Sequence, residues 1–176
     1  MLKLRALIVA GLLFGATSLV AQEGPVNKHE RKGFWIGFGL GYGWLHIEGA
    51  DGSEGGFSGN FSLGGTISQH VLLGFQSNGW YKSESGIGIG FGTSTAAIHY
   101  YPSKTGGLFL TGGLGLGYFS VESFDTEVGF GMVIGGGWDL RVGRNISISP
   151  FFNIFGSNIN SVTVTTIQTG AGIMFH

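Results

Sequence analysis

The chain has 176 residues, of which 11% are charged, 43% are hydrophobic and 36 are glycine, and its formal net charge at pH 7 is −1. This length fits one domain, and the charged fraction is less than half of the usual ~25%, which excludes an ordinary solvated surface. The glycines follow no collagen-like triplet period, and an aromatic fraction of 14% argues against a disordered linker. The absence of cysteine excludes disulfides and thiolate metal sites.

The first 21 residues have the three parts of a secretory signal peptide. Lys3 and Arg5 form a positively charged beginning, residues 6–20 are apolar, and Ala21 is a small residue suited to cleavage. The apolar run is shorter than the ~20 residues that a spanning helix needs, so a membrane anchor is the weaker alternative. We predict cleavage after Ala21, a polar periplasmic tail over residues 22–32, and one β-barrel domain over residues 33–176.

From residue 33 onward the sequence alternates with a period of two, which is typical of β-strands with two different faces. Eight such segments follow one another. Each puts large apolar residues on one face and glycine or small polar residues on the other. The few large residues assigned to the small face are Trp35, Trp80, Phe109 and Phe151.

Two segments carry more specific expectations. In the fourth, Ile87, Ile89 and Phe91 alternate with glycines and are therefore assigned to the apolar face. In the last, the alternation shifts near Thr165 and Thr166, which predicts a β-bulge.

The direction of the alternation indicates the solvent on each side of the sheet. A soluble barrel packs its large apolar residues inside and carries charge outside. Here the continuous face is large, apolar and uncharged, and the small residues suit the narrow interior of an eight-stranded barrel. Pairing of the first strand with the last removes the sheet edges that lipid cannot satisfy. We therefore predict an all-β fold, an eight-stranded antiparallel transmembrane β-barrel with an up-and-down meander; a soluble β-sandwich is the alternative.

The connections and the charges are expected to differ between the two ends. Tight turns are predicted at residues 68–70, 102–106 and 143–145, and longer polar loops at 49–56, 83–86, 120–127 and 156–161, as in transmembrane barrels. The longer loops hold most of the acidic residues, and the tail and tight turns hold most of the basic ones. We expect an acidic outer rim and a basic periplasmic rim. Divalent cations bridging the acidic rim to lipopolysaccharide phosphates are one interpretation, and simple solvation of the loops is the favoured one.

A polar plug is predicted inside the barrel. Asp139 and Arg141 are two positions apart, so they share the lumen side of a strand near its periplasmic end. A buried charge must be paired, and we expect both residues to form the plug together with Gln76, Asn78 or Asn153. Its role is structural, with a proton or ion path as the alternative, and an open pore is not expected.

Other motifs carry no chemistry. The glycine strings at residues 86–92 and 113–117 lack the G-x-G-x-x-G spacing and the Walker lysine of phosphate loops. His46, Asp51 and Ser53 are the residue types of a hydrolytic triad, but no His-x-Ser pair occurs on any strand, so catalysis is not predicted. No histidine has metal-ligand spacing. We predict neither a cofactor nor a metal site.

Residues 135–150, Gly-Gly-Gly-Trp-Asp-Leu-Arg-Val-Gly-Arg-Asn-Ile-Ser-Ile-Ser-Pro, resemble the sixth strand, tight turn and seventh strand of the outer membrane protein β-barrel family of OmpA-like, OmpX-like and opacity-type barrels. The last residues resemble that family's C-terminal signal, polar-x-Gly-x-x-apolar-x-apolar, which the barrel assembly machinery reads. The residues in those places are Gln168, Gly170, Ile173 and Phe175. His176 departs from the pattern, since most members end on the aromatic residue.

The resemblance implies a location in the bacterial outer membrane and a part in the cell envelope. Members act as envelope-stabilising anchors, adhesins or small porins, and the long loops of adhesins are not found here. We expect a non-enzymatic integral barrel with a structural or surface-interaction role and a filled lumen. A lipid-A-modifying acyl hydrolase or transferase and a narrow porin are the alternatives. The expected partners are outer membrane lipid, lipopolysaccharide and the assembly machinery; no nucleic acid is expected, and the sequence specifies no extracellular partner.

Overall fold

The computed structural model describes residues 31–122 and 124–176, and the predicted signal peptide and most of the predicted tail lie outside the described residues. The regular secondary structure of the described residues consists of nine strand segments. Among the described residues no helix is long and apolar enough to cross a membrane. The segments are β1 (Phe34–Ile47), β2 (Glu54–Thr66), β3 (Val71–Glu84), β4 (Ile87–Tyr100), β5 (Leu108–Val121), β6 (Glu127–Trp138), β7 (Leu140–Arg141), β8 (Ile146–Ile159) and β9 (Val162–Phe175).

The strands form one closed antiparallel sheet. Consecutive strands pair from β1 to β6, β6 and β7 both pair with β8 and not with each other, β8 pairs with β9, and β9 pairs with β1. Segments β6 and β7 are one barrel strand interrupted at Asp139, so the barrel has eight strands. Closure leaves no sheet edge to pair with another chain. The predicted eight-stranded meander is confirmed.

The outer surface of the barrel is an uncharged apolar belt. Most strands have 13 or 14 residues, more than the ~9–11 that cross a bilayer at a tilt. Charged residues on the strands lie within three positions of a strand end, so the middle of every strand is uncharged. Exposed outward residues along the belt include Leu40, Phe75, Ile98, Leu114, Phe130, Ile134, Phe152 and Ile173.

Large inward side chains fit because glycines face them. The Phe151 ring lies where a Cβ on Gly39 would come within 2.6 Å of its Cε1 atom. Trp80 lies in the same way against Gly43, whose carbonyl oxygen accepts a hydrogen bond from the indole Nε1 at 3.1 Å. As predicted, Trp35, Trp80, Phe109 and Phe151 all face the lumen and are buried.

The predicted faces of the first half of β4 are wrong. Phe91 is only 2% exposed and faces the lumen, directly opposite the inward Trp80 on β3. The two-residue turn Ser85–Gly86, with φ angles of 53° and 83°, fixes this register. The glycines face outward instead, and a Cβ on Gly92 would lie 2.5 Å from the Tyr118 ring. Outward glycine here makes room for an outward tyrosine.

The predicted bulge in the last strand is also wrong. Strand β9 pairs without interruption with β1 and with β8 through Thr165 and Thr166. The apparent shift arises because Val164 is an apolar residue on the inward face, where it is buried. The alternation of side chains is regular, and the departure lies in the chemistry of inward positions, where Val162 and Val164 are apolar.

The predicted segregation of connections by length is not observed. We call the end with connections 48–53, 85–86, 122–126 and 160–161 the acidic end, and the end with 67–70, 101–107 and 142–145 the basic end. Two connections at the acidic end are turns of two residues, and the longest connection, 101–107, lies at the basic end. Asn160 and Ser161 both have positive φ angles, 51° and 66°, as a tight hairpin turn requires.

We expect Gly39→Ala to destabilise the barrel by about 1–3 kcal/mol, because the new Cβ overlaps the Phe151 ring. Shortening that ring with Phe151→Leu should remove part of the cost, which a double-mutant cycle in urea measures. The control is Gly65→Ala, where nothing lies within 4 Å of the added Cβ. Strictly additive costs would show that the two side chains do not compete for space.

Candidate functional site in the closed lumen

The lumen is filled in layers, and the layer next to the acidic end is apolar. We call these residues the acidic-end plug. Their side chains come from β1, β3, β4, β6, β8 and β9, and the Phe91 and Phe155 rings stack with centroids 5.7 Å apart. These apolar side chains pack into one cluster in this half of the barrel. The plug consists of Leu45, Trp80, Phe91, Val133, Phe155, Ile159 and Val164.

The middle layer is a network of buried amides, here called the amide belt: Gln76, Asn78, Asn153 and Gln168. The Oδ1 atom of Asn78 accepts hydrogen bonds from Gln76 Nε2 at 3.0 Å and from Asn153 Nδ2 at 3.4 Å. Asn153 also donates to Gln168 Oε1 at 3.2 Å, and Gln168 donates to the Ser58 hydroxyl at 2.8 Å. Paired amides of this kind hold the facing walls of the barrel together, because breaking one pair leaves a buried polar group unsatisfied.

The basic end contains a second apolar layer, the basic-end plug, formed by Trp35, Leu72, Tyr101, Phe109 and Met174. Asp139 lies beside it, 2% exposed, at the interruption between β6 and β7. Its carboxylate accepts hydrogen bonds from the Tyr101 hydroxyl at 2.5 Å and from Ser149 Oγ at 2.6 Å. Burial, and next the neighbouring Asp139, raise the pKa of Tyr101 well above its ordinary value.

Arg31 closes the basic end from outside. Its guanidinium stacks on the Tyr101 ring with Cζ 3.6 Å from the centroid, a cation–π contact. It donates to the carbonyl oxygens of both neighbouring connections, at Gln69, Ser103, Lys104 and Gly106. The backbone of Arg31 also exchanges two hydrogen bonds with the Gln69 side chain. Burial lowers the pKa of Arg31 below its usual value, and its many acceptors hold the guanidinium in place.

His176 lies in the same mouth. Its side chain is 4% exposed, and Nε2 is 3.9 Å from Asp139 Oδ2. Its backbone N–H donates to the Asn145 carbonyl at 3.0 Å. We call Arg31, Tyr101, Asp139, Ser149 and His176 the mouth cluster. The residue that departs from the family's terminal pattern therefore belongs to this cluster.

The structure divides the predicted polar plug between two layers. Gln76, Asn78 and Asn153 meet in the amide belt, whereas Asp139 lies nearer the basic end in the mouth cluster. Arg141 reaches toward the adjacent turn, where it donates to the Arg144 carbonyl at 3.1 Å. The i, i+2 spacing gives the correct face for both charged residues but not their height in the barrel or their partners.

Several lumen residues were missed by the sequence analysis. Gln168 was assigned only to the assembly signal, and Arg31 only to the polar tail. The regular alternation of β9 would have placed Gln168 inside, but nothing in the sequence distinguishes Arg31 from the other basic residues around it. Of the assembly-signal residues, Ile173 and Phe175 face outward and Gln168 faces inward; their reading by the assembly machinery stays a prediction.

A small cavity lies between the amide belt and the basic-end plug. Its volume is about 30 Å³, and His99, Gln76, Thr111 and Asn153 are among its lining residues. Both ring nitrogens of His99 are buried without a hydrogen-bonding partner in the protein, and the Trp35 ring contacts the imidazole edge-on at 4.9 Å. The volume exceeds the ~10–15 Å³ that one buried water requires, and the polar lining suits water rather than a larger ligand.

The acidic end shows no assembled reaction centre among the described residues. The His46 ring contacts the Gly52 carbonyl at 2.9 Å through Nδ1, so that nitrogen engages the backbone of the loop that also carries Asp51 and Ser53. Lys82 forms salt bridges of 2.6 Å to Glu54 and 2.8 Å to Glu84. No group of three or more His, Asp or Glu side chains in the described part of the chain is arranged to hold a metal ion.

Comparisons with solved structures agree with this architecture. Neisserial surface protein A superposes with a TM-score of 0.61 at 18% identity, over 84% of this chain and 99% of that one. The chain has the fold of an outer membrane β-barrel. Ail of Yersinia pestis (TM-score 0.56, 18% identity, 82% and 99% covered) and the N-terminal barrel of OprF from Pseudomonas aeruginosa (0.52, 13%, 83% and 98%) share the fold. The sequence matches no protein-family model and no curated protein.

Within this outer membrane barrel fold, Tyr101→Phe tests the mouth cluster. Loss of the hydroxyl leaves the buried Asp139 without one donor, and hydrogen bonds to charged groups contribute about 1.5–3 kcal/mol. We expect a loss of that size in the free energy of unfolding. The matched control is Tyr100→Phe on the outward face, where Tyr100 is 46% exposed and a change below about 0.5 kcal/mol is expected. Equal effects would show that the Tyr101–Asp139 contact contributes nothing specific.

Proposed function

We propose that this chain is an integral outer membrane β-barrel with a closed lumen and a structural or surface-interaction role. The observation that carries the proposal is the uncharged belt of exposed apolar side chains around a sheet without free edges. In water such a belt promotes aggregation, whereas in lipid it is the favourable surface. Export through the cleaved signal peptide, a bacterial outer membrane location and delivery by the barrel assembly machinery follow as parts of the same proposal.

The filled lumen favours a closed barrel over a porin. From the acidic end to the basic end, the interior passes through the acidic-end plug, the amide belt and the basic-end plug, with Arg31 over the mouth. The cavity between them has room for water only. Solute passage would require both plugs and the mouth cluster to rearrange, so a structural role is favoured over transport.

The acidic end is proposed to face outward, and its charge restricts the partners that it would accept. Ail has been crystallised with sucrose octasulfate, a heparin analogue. Seven carboxylates at the acidic end of the present chain would repel such a polyanion, so the surface role proposed here excludes sulfated polysaccharides. Outer membrane lipid and lipopolysaccharide remain the proposed neighbours, with the loop carboxylates directed into water.

Leu114→Arg tests membrane insertion. Leu114 is 60% exposed and lies at the middle of the 14-residue strand β5, so an arginine there should cost about 2–4 kcal/mol in lipid. The control, Phe124→Arg, changes an apolar residue that is 77% exposed but lies in connection 122–126, beyond the barrel wall. Urea titration in phospholipid vesicles measures both. Equal tolerance of the two arginines would contradict a lipid-facing belt.

Conductance in planar bilayers tests the closed lumen. We expect the inserted wild-type protein to show no steady channel current, because three packed layers occupy the interior. The double variant Trp80→Ala/Phe91→Ala, which empties part of the acidic-end plug, should still be closed by the amide belt and the basic-end plug. Stable unitary currents from the wild-type protein would support the porin alternative.

A further inference from the structure

The two ends of the barrel carry opposite charge. Counting the charged side chains of the described residues, with histidine neutral, the acidic end has seven carboxylates and one lysine, a formal charge of −6, and the basic end has five cations and one carboxylate, a formal charge of +4. The acidic end carries Glu48, Asp51, Glu54, Glu84, Glu122, Asp125 and Glu127 with Lys82; the basic end carries Arg31, Lys32, Lys104, Arg141 and Arg144 with Asp139.

The positive charge at the basic end is directed outward. Lys32, Lys104 and Arg144 are exposed, whereas Asp139, the side-chain carboxylate at this end among the described residues, is buried and accepts hydrogen bonds from inside the mouth. The Asp139 carboxylate is already hydrogen-bonded to Tyr101 and Ser149, so it does little to neutralise the exposed cations. Among the described side chains, the exposed charge of this end is therefore positive.

The exposed cations are distributed around the rim. The meander gives the basic end four corners: connections 67–70, 101–107 and 142–145, and the seam where β1 starts beside the end of β9. Lys104 and Arg144 lie in two of these connections, and Lys32 lies at the seam. Charge at three of four corners fits a planar anionic surface that surrounds the barrel, because a single compact ligand would contact only one corner.

The cations also lie at the depth of lipid headgroups. The outward residues at the basic ends of the strands are aromatic or aliphatic and exposed, and Lys32, Lys104 and Arg144 each lie within four residues of one of them along the chain. Aromatic residues favour the boundary between hydrocarbon and headgroups, so basic residues just beyond them reach the phosphates. The outward residues at this boundary include Phe34, Tyr100, Leu108, Trp138, Ile146 and Phe175.

We propose that the basic end binds anionic phospholipid headgroups of the leaflet in which it lies, through Lys32, Lys104 and Arg144. The inference rests on the proposed membrane insertion. Each Lys or Arg side chain near an anionic lipid surface strengthens binding to that surface several-fold, and the attraction falls off within a Debye length. The carboxylates of the acidic end would repel the same headgroups, so the proposed binding is confined to the basic end.

The experiment measures lipid selectivity of the inserted protein. The protein is reconstituted in phosphatidylcholine vesicles containing spin-labelled phosphatidylglycerol or spin-labelled phosphatidylcholine, and electron spin resonance gives the motionally restricted fraction of each. We expect a preference for phosphatidylglycerol of roughly fivefold at low salt, decreasing with ionic strength. Lys104→Gln/Arg144→Gln should lower this preference clearly, leaving Lys32 as the remaining exposed cation. These substitutions keep the backbone carbonyls that accept from Arg31 and Arg141.

Lys82→Gln and Lys104→Gln form a matched pair, because each removes one lysine charge from an opposite end. Lys104→Gln should lower the preference more than Lys82→Gln, because Lys82 is already paired with Glu54 and Glu84. Restricted lipid without headgroup preference, or an equal decrease in both single variants, would overturn this proposal while leaving membrane insertion intact. Absence of restricted lipid of either kind would instead overturn the proposed function, since no lipid would then contact the barrel wall. The folding of each variant is checked on gels, where a folded variant should show the same change of mobility on heating as the wild-type protein.

Discussion

The narrow lumen of an eight-stranded barrel is the constraint on which the rest of this structure depends. Eight strands enclose a space only just wide enough for side chains, so each large inward residue requires a small one across or beside it. Phe151 opposite Gly39 and Trp80 beside Gly43 satisfy this requirement. The high glycine content is therefore chiefly a packing property, and it explains how a chain with few charges and many aromatic residues folds with its apolar surface outward and its interior still full.

The layers of the interior stabilise the barrel by different interactions. Apolar plugs at the two ends exclude water, and the amide belt between them ties opposite walls by directional hydrogen bonds. Buried amides stabilise only when they are paired, and Asn78 meets this condition by accepting from Gln76 and Asn153 at once. Because the plugs enclose the belt, its hydrogen bonds lie in a medium of low dielectric constant, where they are stronger than in water.

Periodicity predicted the strands, their order and most of their faces, because a period of two is a direct consequence of strand geometry. The prediction of faces failed at positions where the residue type does not match the face on which the side chain lies. Phe91 and Val164 are apolar yet inward, since the acidic-end plug needs them, and the glycines beside Phe91 face outward to make room for a tyrosine. The hydrogen-bonding partners of the lumen residues were less predictable than the faces on which these residues lie. The heights of Asp139 and Asn78 in the barrel depend on the stagger between strands, and Arg31 enters the mouth from outside the repeating pattern, so no local signal identifies it.

The mouth cluster joins parts of the chain that are far apart in sequence. Arg31 precedes the first strand and His176 follows the last, so these two residues come into one cluster when β9 pairs with β1. An open sheet, however complete its other hairpins, cannot bring these groups together. Completion of the mouth cluster therefore marks closure of the barrel, a step that pairing within the individual hairpins does not achieve by itself.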